Sequence, residues 1–307
     1  MIEVSVIIPC YNVEVYIGRS IQSVLAQSFT EIEVICVDDG SSDKTLSILK
    51  NFQEKYPDRI KVIRQFNAGA SAARNAGIKV AAGKYIQFLD ADDTLDTNKI
   101  SHQLTLLQNK ERCFVAGNYL RHAIGSIEKV AVFSSDSWIA LAKGRLGCTC
   151  SNLFLKSDID AVGGWNEALA SSQESDLMFR LIKSGCNVIS DTSFLTNIYV
   201  RDSGSISAKS PQGNLERYIR LRFEMHDWLL QSGQLTTDRK SALGSNLLGA
   251  LRMLFRVDNS LAKSIYNSQF APTFEVKVAE QHSRIYVMMH KIFGFVLTQR
   301  LFRLLGK

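Results

Sequence analysis

The sequence predicts an α/β protein: a mixed, mostly parallel sheet flanked by helices, followed by a helical C-terminal extension. Three observations predict it. Strand, loop and helix patterns alternate four times within the first hundred residues, the mark of a right-handed parallel sheet. The strand-like stretches are short apolar runs that end in polar loops, as strands buried on both faces do. From Ser210 onward only helical periodicity remains. Residues 1–209 therefore form one domain, with a first half over 1–97 and a second over 98–209, and residues 210–307 form the extension.

The first strand covers residues 4–8 and stops at Pro9, with Cys10, Tyr11 and Asn12 as the loop. A helical pattern follows over 15–27, with Ile17, Ile21, Val24 and Leu25 on one face. Residues 33–37 are the second strand, ending in Asp38-Asp39-Gly40-Ser41-Ser42-Asp43, where Ser42 is the expected N-cap of the next helix. A third strand over 61–64 leads through Asn67-Ala68-Gly69 to a small-residue helix, with Ser71 as its expected cap. The fourth strand, 85–89, breaks off in Asp90-Ala91-Asp92-Asp93. Ligands of such sheets sit beyond the carboxyl ends of the strands, where these loops converge.

Adjacent carboxylates at a strand end repel one another unless a cation or hydrogen-bond donors gather there. Hard oxygen ligands of this kind, shared with a substrate phosphate, hold Mg2+ or Mn2+. The plainer reading is a cap for a helix starting near Thr94. The loop after the first strand has no GxGxxG, and no GxxxxGK[ST] occurs, so the glycine cradles of dinucleotide and P-loop folds are excluded. A carboxylate-bound divalent ion supplies the counter-charge that a nucleotide diphosphate then needs. Asp38, Asp39 and the Tyr11 ring are placed to hold base and ribose, although VDDGSSD also reads as a simple turn with a helix cap.

The composition fits an ordinary globular protein. A chain of 307 residues buries a sizeable core, and 46% hydrophobic with 21% charged content is globular. Six scattered cysteines form no CxxC pair, which points to reduced core thiols in a cytosolic protein. The opening MIEVSVIIP has no basic segment and too short an apolar run for a signal peptide, and no stretch reaches the ~18 apolar residues of a spanning helix.

The segments VSVIIPCYNVEVYIGRSIQSVLAQS, EVICVDDGSSDKT, NAGASAARNAGIKVAAGKYIQFLDADD and SSQESDLMFRLIKSG resemble the motifs of family 2 glycosyltransferases of the GT-A fold. The likeness is dense over residues 3–97 and looser over 145–207. It implies inverting transfer of a sugar from a nucleotide-diphosphate donor. By position, Pro9, Tyr11, Asp38 and Asp39 match the nucleotide pocket, Arg74 a basic residue near the diphosphate or base, and Asp90-Ala91-Asp92 the DxD signature. The resemblance gives Asp92 the direct metal contact and places Asp90 nearer the ribose or a metal-bound water. In the family's last motif a histidine often adds a metal ligand; here Asp202 occupies about that place, and either it substitutes or the ion is held by the DxD and donor alone.

Inverting transfer needs a carboxylate to take the acceptor hydroxyl's proton. The family's base matches Glu174, where Asp is the commoner residue, and helix capping is the rival explanation for an acid there. Asp176 reads as a helix cap or acceptor-site support. Trp165, after Gly163-Gly164, is either a platform for sugar C–H faces in the acceptor site or a core tryptophan. Residues 203–207 have the composition of a mobile loop over the donor.

The net charge of +6 is concentrated in the tail, where residues 210–307 carry 14 Lys and Arg against 7 Asp and Glu. Over 284–307, Ile285, Met288, Met289, Ile292, Phe293 and Val296 share one helical face, with Arg284 and Lys291 opposite. Leu297, Leu301, Leu304 and Leu305 form a rotated face, so a kink is expected near Gly294. Basic amphipathic helices suit an anionic membrane surface, here the cytoplasmic face; a cap on the sheet or a dimer contact is the alternative. The tail lacks the aromatic interleaving of single-strand binders, which argues against nucleic acid.

The expected activity is thus metal-dependent transfer to a glycan or lipid-linked acceptor, for a bacterial surface polysaccharide. Its rivals are a sugar-nucleotide nucleotidyltransferase, whose glycine-rich basic loop is missing, and an inactive nucleotide-sugar-binding scaffold, against which the intact acids speak.

Overall fold

The computed structural model describes residues 2–132, 136–201, 210–279 and 282–304. The chain divides into two compact units, one of residues 1–140 and 144–203, the other of 141–143 and 204–307.

The first unit holds β1 (Val4–Cys10), α1 (Ile17–Leu25), β2 (Ile32–Asp38), α2 (Thr45–Lys55), β3 (Ile60–Arg64), α3 (Ala70–Val80) and β4 (Tyr85–Phe88). They are followed by β5 (Thr94–Leu95), α4 (Lys99–Leu107), β6 (Cys113–Gly117), β7 (Tyr119–Ala123), β8 (Ser126–Val130) and α5 (Ser137–Ala142). The last elements are β9 (Leu153–Leu155), α6 (Lys156–Ala161), α7 (Gln173–Lys183), β10 (Asn187–Asp191) and β11 (Thr196–Tyr199). Seven strands form the main sheet in the order β10-β6-β9-β4-β1-β2-β3, parallel except for β9, which runs against both its neighbours. A smaller sheet, β5-β11-β7-β8, carries the β7–β8 hairpin.

The apolar runs do what their composition requires. Val4, Val6, Ile8, Val34 and Cys36 are buried against Ile17, Ile21 and Val24 of α1. On the other face α3 lies so close to β1 that a Cβ at Gly77 would stand 2.5 Å from Ile7 Cγ2. Its small residues are a packing requirement.

Three local expectations are corrected. Ser42 does not cap α2; Asp43 accepts the Thr45 N–H at 2.9 Å. Ser71 lies inside α3, which opens at Gly69 in the left-handed region (φ 91). Thr94 begins a strand rather than a helix, so the acids before it are not a helix cap.

The second unit contains α8 (Pro211–Gln231), α9 (Thr237–Val257), α10 (Asn259–Ile265), a π-helical turn (Tyr266–Phe270) and α11 (Arg284–Leu304). α11 breaks at Gly294 (φ 71, ψ −179), where only glycine is comfortable. The break turns Phe295 onto Tyr266, whose rings stack at 4.2 Å. Arg284 and Lys291 do not lie opposite the apolar face. They are exposed along with Ile285, Met288 and Ile292, because Tyr286 and Val287 make the buried side.

Candidate active site

The carboxyl rim of the parallel strands is stitched together by short polar contacts. After β1, Asn12 adopts a left-handed conformation (φ 50), and its Oδ1 accepts the Ser42 N–H at 2.8 Å. Tyr11 beside it is 51% exposed, and Pro9 is half-buried. Asp38 is buried at the end of β2, with Oδ1 accepting from Ser41 N at 3.3 Å and Oδ2 facing Arg64 Nε at 3.5 Å. Asp39 accepts from Gln65 Nε2 (2.7 Å), Ala68 N (2.9 Å) and Gly69 N (2.9 Å). It therefore anchors the loop after β3. That loop presents Phe66, 97% exposed, a ring that the sequence reading passed over.

At the end of β4 two of the three acids, Asp90 and Asp92, have their own counter-charge. Asp90 pairs with Arg74 Nη2 at 2.7 Å. Asp92 is ion-paired to Arg201, and its backbone carbonyl accepts from Arg19 Nη2 at 2.6 Å. Buried Ala91 gives the turn between them a residue small enough to tuck inside. Asp93 is buried. Its Oδ1 accepts the Tyr199 N–H at 2.9 Å and its Oδ2 the Cys150 thiol at 3.3 Å. Desolvation, with the Asp90 and Asp92 carboxylates close by, pushes Asp93 up to about 8.

Glu174 lies in the first turn of α7, entered through Ser172 in a left-handed conformation (φ 61). Its Oε1 accepts from Thr149 N at 2.9 Å and from the Thr149 hydroxyl. The next residue, Cys150, accepts the Asp90 N–H at 3.2 Å and donates to Asp93. Thr149-Cys150 thus joins the expected base to the acid cluster. Neither was singled out in the sequence, where Cys148-Thr149-Cys150 carried no recognisable spacing.

Two acceptor-site expectations change. Trp165 is no open platform: it is 3% exposed, its ring meets Phe88 edge-on at 5.1 Å and the Arg74 guanidinium lies 4.5 Å from its centroid. Asn75 clamps its backbone, donating to the carbonyl at 2.9 Å and accepting from the N–H at 2.8 Å. Asp176 binds Arg180 at 2.6 Å, and Arg180 in turn donates to the carbonyls of Val162 and Gly164. Its work is to hold the loop of Trp165, whose packing steadies Arg74. Asp202 and the loop 203–207 lie outside the described residues.

The donor chemistry suits a divalent ion, since Asp90 and Asp92 offer hard oxygens. Among the described residues the group whose ligand atoms lie within 4.8 Å of one another is Asp90, Asp93 and Cys150, without Asp92. Cys150 is a poor thiolate donor, since burial and the neighbouring carboxylates push its thiol well up. The carboxylates are the ligands the chemistry favours.

Known proteins share this fold. The fold is that of GT-A glycosyltransferases: TarS of S. aureus in complex with UDP-GlcNAc matches with a TM-score of 0.64 at 17% identity, over 88% of this chain and 77% of that one. The mannosyltransferase PcManGT of Pyrobaculum calidifontis, in complex with GDP-Man and Mn2+, matches with a TM-score of 0.54 at 15% identity, over 99% and 88%. Residues 5–142 match the profile of Glycosyl transferase family 2. The minor teichoic acid biosynthesis protein GgaB of Bacillus subtilis is 44% identical over 102 residues, covering 33% of this chain and 11% of its own. The match spans only 34%, 31% and 46% of the length of the first three curated relatives.

Proposed function

We infer that this chain is an inverting glycosyltransferase. It would move a sugar from a nucleotide-diphosphate donor to a hydroxyl of a glycan or lipid-linked acceptor in surface-polysaccharide synthesis. The observation that carries this reading is the tie from Glu174 through Thr149-Cys150 to Asp90 and Asp93 at the rim of a parallel sheet. Tyr11, Asp38 and Phe66 are the groups for base and ribose, with Asp39 holding the loop that carries Phe66. Arg74 and Asp90 flank the diphosphate.

Asp92 and Asp90 would hold Mn2+ or Mg2+, which when bound offsets the charge of the departing diphosphate. Glu174 takes the acceptor hydroxyl's proton as that oxygen attacks the anomeric carbon opposite the leaving group. The Thr149 N–H and hydroxyl fix one carboxylate oxygen and so aim the other. Glu174→Gln is expected to keep donor affinity while turnover falls by ~10²-fold or more. A product with retained anomeric configuration, read by NMR, would remove Glu174 from the role of base.

The lipid-linked alternative for the acceptor draws on α11. Ile285, Met288 and Ile292 are exposed beside Arg284 and Lys291, the composition of a helix lying in an anionic interface. No helix among the described residues is long and apolar enough to cross a membrane. Work at the cytoplasmic face of a membrane is part of this proposal.

A further inference from the structure

The geometry points to Arg201 as a resident counter-cation of the DxD: its guanidinium and an incoming divalent ion compete for the Asp92 carboxylate. This rests on reading Asp92 as a metal ligand. The support is the way charge is distributed around three acids in four residues. Asp90 has Arg74, and Asp93 is buried with a thiol and an amide as donors. Asp92 has Arg201, Nε to Oδ2, with both side chains about four-fifths buried.

Arg201 is held for this contact. Its guanidinium lies 4.5 Å from the Tyr16 ring centroid, on the chain just before α1. Tyr199, two residues earlier, is fixed by its N–H on Asp93 and by the Arg19 guanidinium 3.8 Å from its ring. The contact thus joins positions 109 residues apart through a scaffold that also positions the acid cluster. A partly desolvated Arg–carboxylate pair is stronger than an exposed one, because solvent screens it less. A divalent ion that takes Asp92 as a ligand shares its carboxylate with this guanidinium and is repelled by its charge.

Metal affinity of the free protein is therefore set below what the acids alone would give. Arg201 is a positioning residue: it keeps Asp92 in place until an ion takes over.

The test is calorimetric titration of chelator-treated full-length protein with Mn2+ alone, cross-checked by the free-ion signal in electron paramagnetic resonance. Arg201→Gln is expected to tighten Mn2+ binding by roughly fivefold to tenfold, the scale of one partly buried ion pair. Arg201→Lys keeps the charge without the planar fork and should fall between, and it serves if Arg201→Gln folds poorly. Lys50→Gln, which removes an exposed positive charge on α2, should change the affinity by less than about twofold. Two results overturn the inference while leaving the metal site standing: unchanged Mn2+ affinity in Arg201→Gln, or equal tightening in Arg201→Gln and Lys50→Gln, which marks a general field effect. If Asp92→Asn binds Mn2+ as the unsubstituted protein does, the reading of Asp92 as a ligand falls and takes the inference with it.

Discussion

Single side chains decide whether this rim is chemistry or capping. Thr149 has no catalytic atom of its own, yet it fixes Glu174 through both backbone and hydroxyl. Thr149→Val keeps the shape and the N–H but removes the hydroxyl, so kcat should fall about tenfold with little change in KM, read from steady-state kinetics. Lys99 gives a test of the floor beneath the site. It is fully buried between Gln87 Oε1 and the Asn152 carbonyl, and desolvation brings it down to about 7. Between that value and the ordinary lysine range near 10.4, the unfolded chain holds a proton that the folded one has lost. The sign follows: stability rises with pH across this window, by up to about 1.4 kcal/mol per pH unit, and the cost is present in full below 7. Lys99→Met should flatten that rise in urea midpoints taken from pH 7 to 10. At this scale the sequence displayed the acids, because they stand together in one string. It hid Arg201 on Asp92, Asn75 on Trp165 and Thr149 on Glu174, contacts spanning 109, 90 and 25 residues that no local pattern encodes.

Helices and strands were legible wherever burial wrote a period into the chain. β1, β2 and β4 stood out as short, largely apolar runs and α1 as a one-sided helix; the break at Gly294 followed from two apolar faces out of phase. Caps were less legible. Ser42, Asp43 and Ser71 are all good cap formers, and the backbone path, not composition, selects among them. The antiparallel β9 was also unreadable, because direction leaves no trace in three buried residues, Leu153–Leu155. The approach of α3 to β1 yields a sharper expectation. Gly77→Ala places a methyl against Ile7 in a packed core and should lower stability by about 1–3 kcal/mol in denaturant unfolding, with the sheet intact by circular dichroism.

The molecule as a whole sets charge at two places. Acids with matched arginines gather at the rim of one unit, while the other unit carries the excess of Lys and Arg and an apolar strip on α11. If that strip meets lipid, Met288→Asp with Ile292→Asp should abolish sedimentation with vesicles rich in anionic lipid while transfer to a short soluble acceptor persists. Binding that survives both substitutions would assign the strip elsewhere. Central to the account, however, is the ion at Asp92. Calorimetry of chelator-treated protein with UDP-GlcNAc and with GDP-Man, with and without Mn2+, tests it most directly. At least one donor should bind only when Mn2+ is present, and Asp92→Ala should lose that binding. Equal donor affinity with and without Mn2+, unaffected by Asp92→Ala, would contradict it.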